Sequence, residues 1–170
     1  LSAAQLERLC TKLECEFDLS ALREYTVEAG RPDTISLDKL ETLRAHGVGR
    51  VSVNPQTMSD SVLEAIGRRH TAQDIVDALA LVRRCGGLEV NMDLIAGLPT
   101  DTPEGFSRTL DEVLALAPEN ITVHTLSLKR GSGLTLAGKR FIAPKYPQEY
   151  INAAPGFAAG KERIGEFYGV

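Results

Sequence analysis

The chain has 170 residues, of which 43% are hydrophobic, and a formal net charge of −4. This length and hydrophobic content suffice for one sizeable core, so we expect a soluble globular protein. The negative charge and the scattered Lys and Arg residues argue against a nucleic-acid partner. No apolar run approaches the roughly 18 residues of a membrane span, which argues against a membrane protein.

Four short runs alternate apolar and polar residues and therefore predict β-strands. In chain order they cover residues 25–28, 51–56, 88–95 and 121–127. Because side chains alternate between the two faces of a strand, one face of each is suited to a core and the other to a ligand. In the second run, for example, Val51 and Val53 oppose Ser52, Asn54 and Gln56.

Helix-length segments with helix-start signals separate the predicted strands. Ser36, Thr71 and Thr102 precede these helices, with Asp74 three residues after Thr71 and a proline directly after Thr102. Pro118 is expected to end the last helix. Two apolar stripes at helical spacing are predicted to face the sheet: Ile75, Ala78, Leu79 and Val82, then Phe106, Leu110, Val113 and Leu114.

Alternating strands and helices predict a parallel sheet, in which functional groups gather at the carboxyl ends of the strands. Glu28, Gln56 and Asp93 are therefore expected to converge on one site, although a single acid at a strand end is more often a loop cap. A closed eight-fold barrel needs roughly 250 residues. Four strands in 170 residues thus indicate a small open sheet or, as we favour, part of a barrel.

Other chemistry-bearing residues give weaker signals. Arg68 precedes the helix start at Thr71, and its guanidinium could bind a carboxylate, although a solvated surface cluster is the commoner meaning of such a run. His124 is interpreted as a lumen filler and not as a metal ligand. The three cysteines are too few and too irregularly spaced for a metal site, and they favour a reducing, cytoplasmic location.

The pattern changes near residue 135, so we divide the chain into a domain over residues 1–134 and a tail over residues 135–170. The tail holds six of the nine aromatic residues. They either dock on an exposed edge of the barrel or help to bind a flat ligand.

Five segments in this order resemble the oxygen-independent coproporphyrinogen III oxidase family of radical S-adenosylmethionine (SAM) proteins, most closely its coproporphyrinogen dehydrogenase branch. They are EAGRPDTI (28–35), RVSVNPQTM (50–58), IGRRHT (66–71), NMDLIAGLP (91–99) and TVHTLS (122–127). The resemblance covers about residues 1–134. It implies an α/β fold, a partial six-fold TIM-like β/α barrel of which this chain would supply about the third to sixth strands.

The resemblance also implies two cofactors, S-adenosylmethionine and a [4Fe-4S] cluster. Glu28 would bind the amino or ribose part of S-adenosylmethionine, Gln56 and Asp93 its ribose and neighbouring atoms, Arg68 its carboxylate, and Ser127 would lie on the adenine side. The family's CxxxCxxC cluster loop is absent from this sequence; in the family it lies upstream of the position of Leu1. A chain without it is expected to be inactive alone, and its start at Leu instead of Met suggests a missing native beginning.

The implied function is the oxidative decarboxylation of coproporphyrinogen III to protoporphyrinogen IX in haem and porphyrin biosynthesis. The alternative is a haem-binding or haem-chaperone protein of the same superfamily. A third, unrelated possibility is a β/α-barrel enzyme that binds phosphate at helix N-termini. Apart from the small-molecule substrate, we expect self-association through the exposed barrel edge.

Overall fold

The computed structural model describes residues 1–126, which alternate between helices and strands. In chain order the elements are α1 (Ala3–Glu16), β1 (Thr26–Gly30), a short 3-10 helix (Pro32–Thr34), α2 (Leu37–Ala45), β2 (Arg50–Val53), α3 (Asp60–Ala65), α4 (Ala72–Cys85), β3 (Glu89–Ala96), α5 (Pro103–Ala115) and β4 (Asn120–Thr125). Ser127 and the proposed tail over residues 135–170 lie outside the described residues.

The strands form one parallel sheet with the order β1-β2-β3-β4. Consecutive parallel strands need a crossover connection, and α2, α4 and α5 provide the three crossovers. The predicted α/β class with a parallel sheet is therefore confirmed. No helix among residues 1–126 is long and apolar enough to cross a bilayer.

Two of the predicted helix starts carry the expected hydrogen bonds. The Thr71 side chain accepts from the Asp74 N–H, and Asp74 bonds back to the Thr71 N–H, which completes a capping box at α4. The Thr102 side chain accepts from the Gly105 N–H at the start of α5. At α2, Ser36 occupies the cap position without a capping bond, because its hydroxyl bonds Asp38 instead.

The core lies between the helices and one face of the sheet. The sheet contributes five fully buried side chains to it: Val51, Val53, Val90, Met92 and Leu94. The helical stripes meet them as predicted, with Ile75, Ala78, Leu79, Val82, Phe106, Leu110 and Val113 all buried. Leu114 was expected in this stripe but is 43% exposed. It lies about 100° around the helix from Val113, outside the arc that faces the sheet.

Strand β2 is shorter than its alternating pattern predicts, ending at Val53 instead of Gln56. Pro55 has no N–H to donate, and Gln56 has a left-handed backbone with φ of 68°. Gln56 rejoins the sheet at a single bridge to β3: its N–H donates to the Asp93 carbonyl (3.0 Å), and its carbonyl accepts from the Ile95 N–H (2.9 Å).

Candidate functional site

Polar side chains line the face of the sheet that is turned away from the helices, which we call the inner face. Glu28 on β1 pairs in register with Ser52 on β2, and Ser52 pairs with Asn91 on β3. Their neighbours along the strands, Val51 and Val90, are buried on the helix side, and side chains alternate between faces. The sequence therefore builds one polar row across three strands.

Both carboxylate oxygens of Glu28 are held by side chains from β2 and the loop after it. The Ser52 hydroxyl donates to Glu28 Oε1 (3.0 Å), and the Asn54 amide donates to Glu28 Oε2 (3.0 Å). The other amide atom, Asn54 Oδ1, is buried and has no partner within residues 1–126. These bonds fix the orientation of the acid and leave a buried acceptor beside it.

Asn91 joins β3 to β4 on the same face. Its Oδ1 accepts from Asn120 Nδ2 (2.7 Å) and from the Thr122 hydroxyl (3.0 Å). Its Nδ2 donates to Asp93 Oδ1 (2.7 Å). Asn91 therefore uses its donor and its acceptor at once, and through the donor it orients Asp93.

Asp93 lies two residues closer to the carboxyl end of the sheet than Asn91, with a side chain that is 18% exposed. Its Oδ2 is 4.0 Å from His124 Nε2. The backbone bridge to Gln56 fixes the same residue from β2. The structure thus joins the backbones of Gln56 and Asp93. Glu28 lies in the row of Ser52 and Asn91, two residues before Asp93 along the sheet, so the three residues are not in a single register row.

Arg68 lies in the connection between α3 and α4, four residues before α4 begins. Its N–H donates to the Leu63 carbonyl, and its partly exposed guanidinium forms no hydrogen bond or ion pair within the described part of the chain. Arg69 is exposed, in keeping with a solvated cluster. His70 is 5% exposed, and neither ring nitrogen has a partner among residues 1–126.

Asp101 lies at the start of α5, in the loop that follows β3. Burial raises the pKa of its carboxyl group, while the hydrogen bond from the Thr102 N–H and the charge of Arg108 act in the opposite direction. Its Oδ1 accepts from that N–H (2.9 Å), and its Oδ2 is buried without a partner in the described region. Gly105 packs against this carboxylate.

Sequence reasoning missed the structural importance of Ser52, Asn91, Asn120 and Thr122. The signal was present in the strand alternation, which put Ser52 and Asn91 on the polar face. Which of these residues meet depends on the register between strands, and a single sequence does not contain it.

A metal centre is not formed by the described residues. No group of three or more His, Cys, Asp or Glu residues within residues 1–126 could hold a metal ion. Cys10 and Cys85 are buried in different helices, and Cys15 is exposed.

Comparisons with known proteins identify the relatives of the chain. A family profile described as the radical SAM superfamily matches residues 4–113. The chain is 43% identical over 136 residues to the oxygen-independent coproporphyrinogen-III oxidase-like protein HemZ of Bacillus subtilis (strain 168), covering 79% of this chain and 27% of that protein. It is 34% identical over 129 residues to the heme chaperone HemW of Lactococcus lactis, covering 76% and 34% respectively.

Among solved structures, the coproporphyrinogen III oxidase HemN of Escherichia coli, described as a radical SAM enzyme, matches with a TM-score of 0.73 and 30% identity. The match covers 97% of this chain and 38% of that one. The chain therefore spans about a quarter to two fifths of the length of these relatives. The resemblance to the coproporphyrinogen III oxidase family and the partial-barrel fold are confirmed.

Proposed function

The chain belongs to the radical SAM superfamily, and we propose that it forms the S-adenosylmethionine-binding part of an enzyme that oxidatively decarboxylates coproporphyrinogen III to protoporphyrinogen IX. The observation that carries this proposal is the polar inner face, where Glu28 and Asp93 are each oriented by neighbouring amide or hydroxyl groups. The similarity to relatives named as coproporphyrinogen oxidases or oxidase-like proteins supports the choice of substrate.

The chemistry of the inner face fits S-adenosylmethionine. Asp93 Oδ2 accepts no hydrogen bond from residues 1–126 and lies 4.0 Å from His124 Nε2, so it can accept a hydrogen bond from a ribose hydroxyl. The buried acceptor Asn54 Oδ1 has no partner among the described residues and can accept from a ligand N–H or O–H, since buried acceptors are ordinarily paired.

The roles proposed for the remaining residues are those that the family resemblance implies. Glu28 would bind the amino or ribose part of the ligand, and Gln56 would bind next to Asp93. The Arg68 guanidinium, which has no partner among residues 1–126, would bind the carboxylate of the methionine moiety, for which a planar fork is suited. Ser127 would contact the adenine side. These side chains hold and orient the cofactor, so that a fixed geometry lowers the barrier of the reaction.

When bound, S-adenosylmethionine and the cluster supply the radical chemistry that removes hydrogen from the substrate. Residues 1–126 contain no fitting set of cluster ligands. We therefore assign this part of the chain to cofactor binding and assign no electron-transfer step to it.

A second candidate function is haem binding or haem delivery. The similarity to a protein named heme chaperone HemW, at 34% identity, favours it. Both candidates would use the same inner face for S-adenosylmethionine, and they differ in whether a porphyrinogen is consumed.

A cytoplasmic location and self-association also stay predictions. Strands β1 and β4 each have one neighbour in the described sheet, and an unpaired edge can pair with another chain. Light scattering on the purified chain tests self-association, and a clean monomer would contradict it.

The test uses the complete gene product, reconstituted anaerobically with iron and sulfide. Formation of 5′-deoxyadenosine and of protoporphyrinogen IX is measured with and without coproporphyrinogen III for the native protein, Asp93→Ala and Glu89→Ala. Glu89 is a matched control because it lies at the other end of β3, where it pairs with Arg50.

The proposal expects both products from the native protein and from Glu89→Ala, and neither from Asp93→Ala. If haem stays bound through purification while 5′-deoxyadenosine formation does not exceed background, the chaperone function would be favoured over the oxidase function. Equal turnover by Asp93→Ala would reject the site assignment.

A further inference from the structure

His124 lies on the inner face of β4, next to Asp93. Strand alternation puts it on the same face as Thr122 and Asn120, whose side chains both reach Asn91. The register pairs Thr122 with Asp93 and His124 with Ile95, so His124 lies two residues closer to the carboxyl end of the sheet than Thr122. Its side chain is 59% exposed, which leaves it accessible to a ligand on that face.

The gap between His124 and Asp93 has the size of one bridging atom. His124 Nε2 and Asp93 Oδ2 are 4.0 Å apart, which exceeds the roughly 2.7–3.2 Å of a direct hydrogen bond. An oxygen atom about 2.8 Å from each of them satisfies both distances. The two groups can therefore hold one ligand atom between them.

The two groups also define the chemistry of that atom. An ionised carboxylate only accepts hydrogen bonds, and Asp93 Oδ1 already accepts from Asn91. A protonated Nε2 only donates. When Nε2 carries a proton, the bridging atom therefore donates to Asp93 and accepts from His124. A hydroxyl does both, whereas an ammonium group cannot accept and a carboxylate cannot donate.

We propose that His124 is a further binding residue of this site and that it holds, together with Asp93, one ribose hydroxyl of S-adenosylmethionine. This inference rests on the proposed function, because it takes S-adenosylmethionine as the ligand of the inner face. It adds a donor on β4 itself to the residues already proposed, which lie on β1 and β3 and in the segments that follow β2, α3 and β4.

The experiment measures binding by titration calorimetry on the complete gene product with its cluster reconstituted. The ligands are S-adenosylmethionine and its 2′-deoxy and 3′-deoxy analogues, each of which lacks one ribose hydroxyl. The variants are His124→Phe, which keeps a ring but removes the N–H, and His124→Gln, whose amide N–H can replace it. Thr125→Val is the matched control, since Thr125 lies on the opposite face of the same strand.

We expect His124→Phe to raise the Kd for S-adenosylmethionine about fivefold to tenfold, the usual effect of losing one hydrogen bond. His124→Gln and Thr125→Val should stay near the native value. Against the deoxy analogue that lacks the bridged hydroxyl, native protein and His124→Phe should bind equally. Equal affinity of the two proteins for that analogue would show that the effect of His124→Phe depends on the missing hydroxyl. A general disturbance of the fold would instead weaken binding of all three ligands.

Native affinity in His124→Phe, or the same loss for all three ligands, would overturn the inference and leave the proposed function standing. Native protein that binds none of the three ligands would overturn the proposed function and the inference with it. The two failures are distinguished by the behaviour of the native protein.

Discussion

The side-chain hydroxyls of Thr57 and Thr109 lie 3.1 Å apart and join α5 to the loop that carries Gln56. The same hydroxyls accept from the N–H groups of Met58 (3.2 Å) and Ser59 (3.2 Å). Thr57 and Thr109 are both buried. Gln56 directly precedes Thr57, and its positive φ of 68° is uncommon outside glycine. The buried pair therefore helps to hold a backbone conformation that the residue would not adopt alone.

Thr109→Val should destabilise the protein and weaken ligand binding at Gln56. The substitution keeps the shape of the side chain but leaves the Met58 N–H unpaired in a buried place, which costs about 1–3 kcal/mol. Urea unfolding measures the first effect, and the Kd for S-adenosylmethionine measures the second. Thr109→Ser keeps the hydroxyl and serves as the control. Equal ligand affinity in Thr109→Val and Thr109→Ser would show that the pair has no influence on Gln56.

The features that sequence predicts correctly are those set by contacts within one helix or strand. The capping box joins Thr71 to Asp74, three positions later, and the buried stripe of α4 repeats at the helical period. Both follow from local geometry. The parallel sheet also follows, because strands alternate with helix-length segments and such a pattern has few folding solutions.

The features that sequence does not predict depend on contacts between distant segments. Asn91 bonds Asn120 and Thr122, which lie about thirty residues further along the chain. Gln56 leaves its predicted strand after Pro55 and is placed by the β3 backbone. In each case the strand register decides the outcome. For this reason the residue types of the candidate site could be selected from the sequence, but their mutual positions could not.

Asn91→Asp should weaken S-adenosylmethionine binding more than the milder Thr122→Val. Asn91 Nδ2 donates to Asp93 Oδ1 at 2.7 Å, and the substitution replaces this donor with an oxygen. Two carboxylates would then face each other, and the repulsion between their negative charges would turn the Asp93 side chain away. We expect a loss of about 1–3 kcal/mol, or roughly tenfold or more in Kd.

Thr122→Val is the matched control for this change, because it removes one of the two donors to Asn91 and leaves the bond to Asp93 in place. Calorimetric titration of both variants with S-adenosylmethionine measures the difference. Equal Kd values for the two variants would contradict a role of Asn91 in orienting Asp93.

His46 should make the stability of the protein depend on pH. Its ring bonds Glu14 through Nδ1 (2.7 Å) and Glu7 through Nε2 (3.0 Å), and so ties the end of α2 to α1. These hydrogen bonds, led by that of Glu14, raise the pKa of His46 above its ordinary 6.5. The stabilisation is therefore fully present below about pH 6.5 and is lost as the pH rises through the higher folded-state pKa.

Thermal unfolding of native protein and His46→Gln between about pH 6 and pH 9 measures this contribution, since glutamine does not titrate in this range. The native protein should be the more stable of the two near pH 6, and its advantage should shrink as the pH rises. A difference that stays constant over the range, or that grows towards pH 9, would contradict the assignment.

Gly105→Ala should destabilise the protein although it lies in a helix. Alanine ordinarily favours a helix by about 1 kcal/mol over glycine. A Cβ at this position, however, would lie 2.5 Å from Asp101 Oδ1 and 3.3 Å from Thr102 Oγ1. Asp101 Oδ1 accepts from the Thr102 N–H, so moving the carboxylate away breaks a bond at the start of α5. We expect a net loss of about 1–2 kcal/mol, within the range for inserting one methyl group into a packed place.

The decisive comparison is the same substitution made together with Asp101→Ala. Without the carboxylate, the closest obstacle to the new methyl group is gone, and the helix preference of alanine should make Gly105→Ala neutral or stabilising. Urea unfolding of the native protein, both single variants and the double variant gives the coupling free energy between the two positions. Coupling near zero would mean that Asp101 does not oppose a side chain at Gly105, and that glycine is required there for another reason.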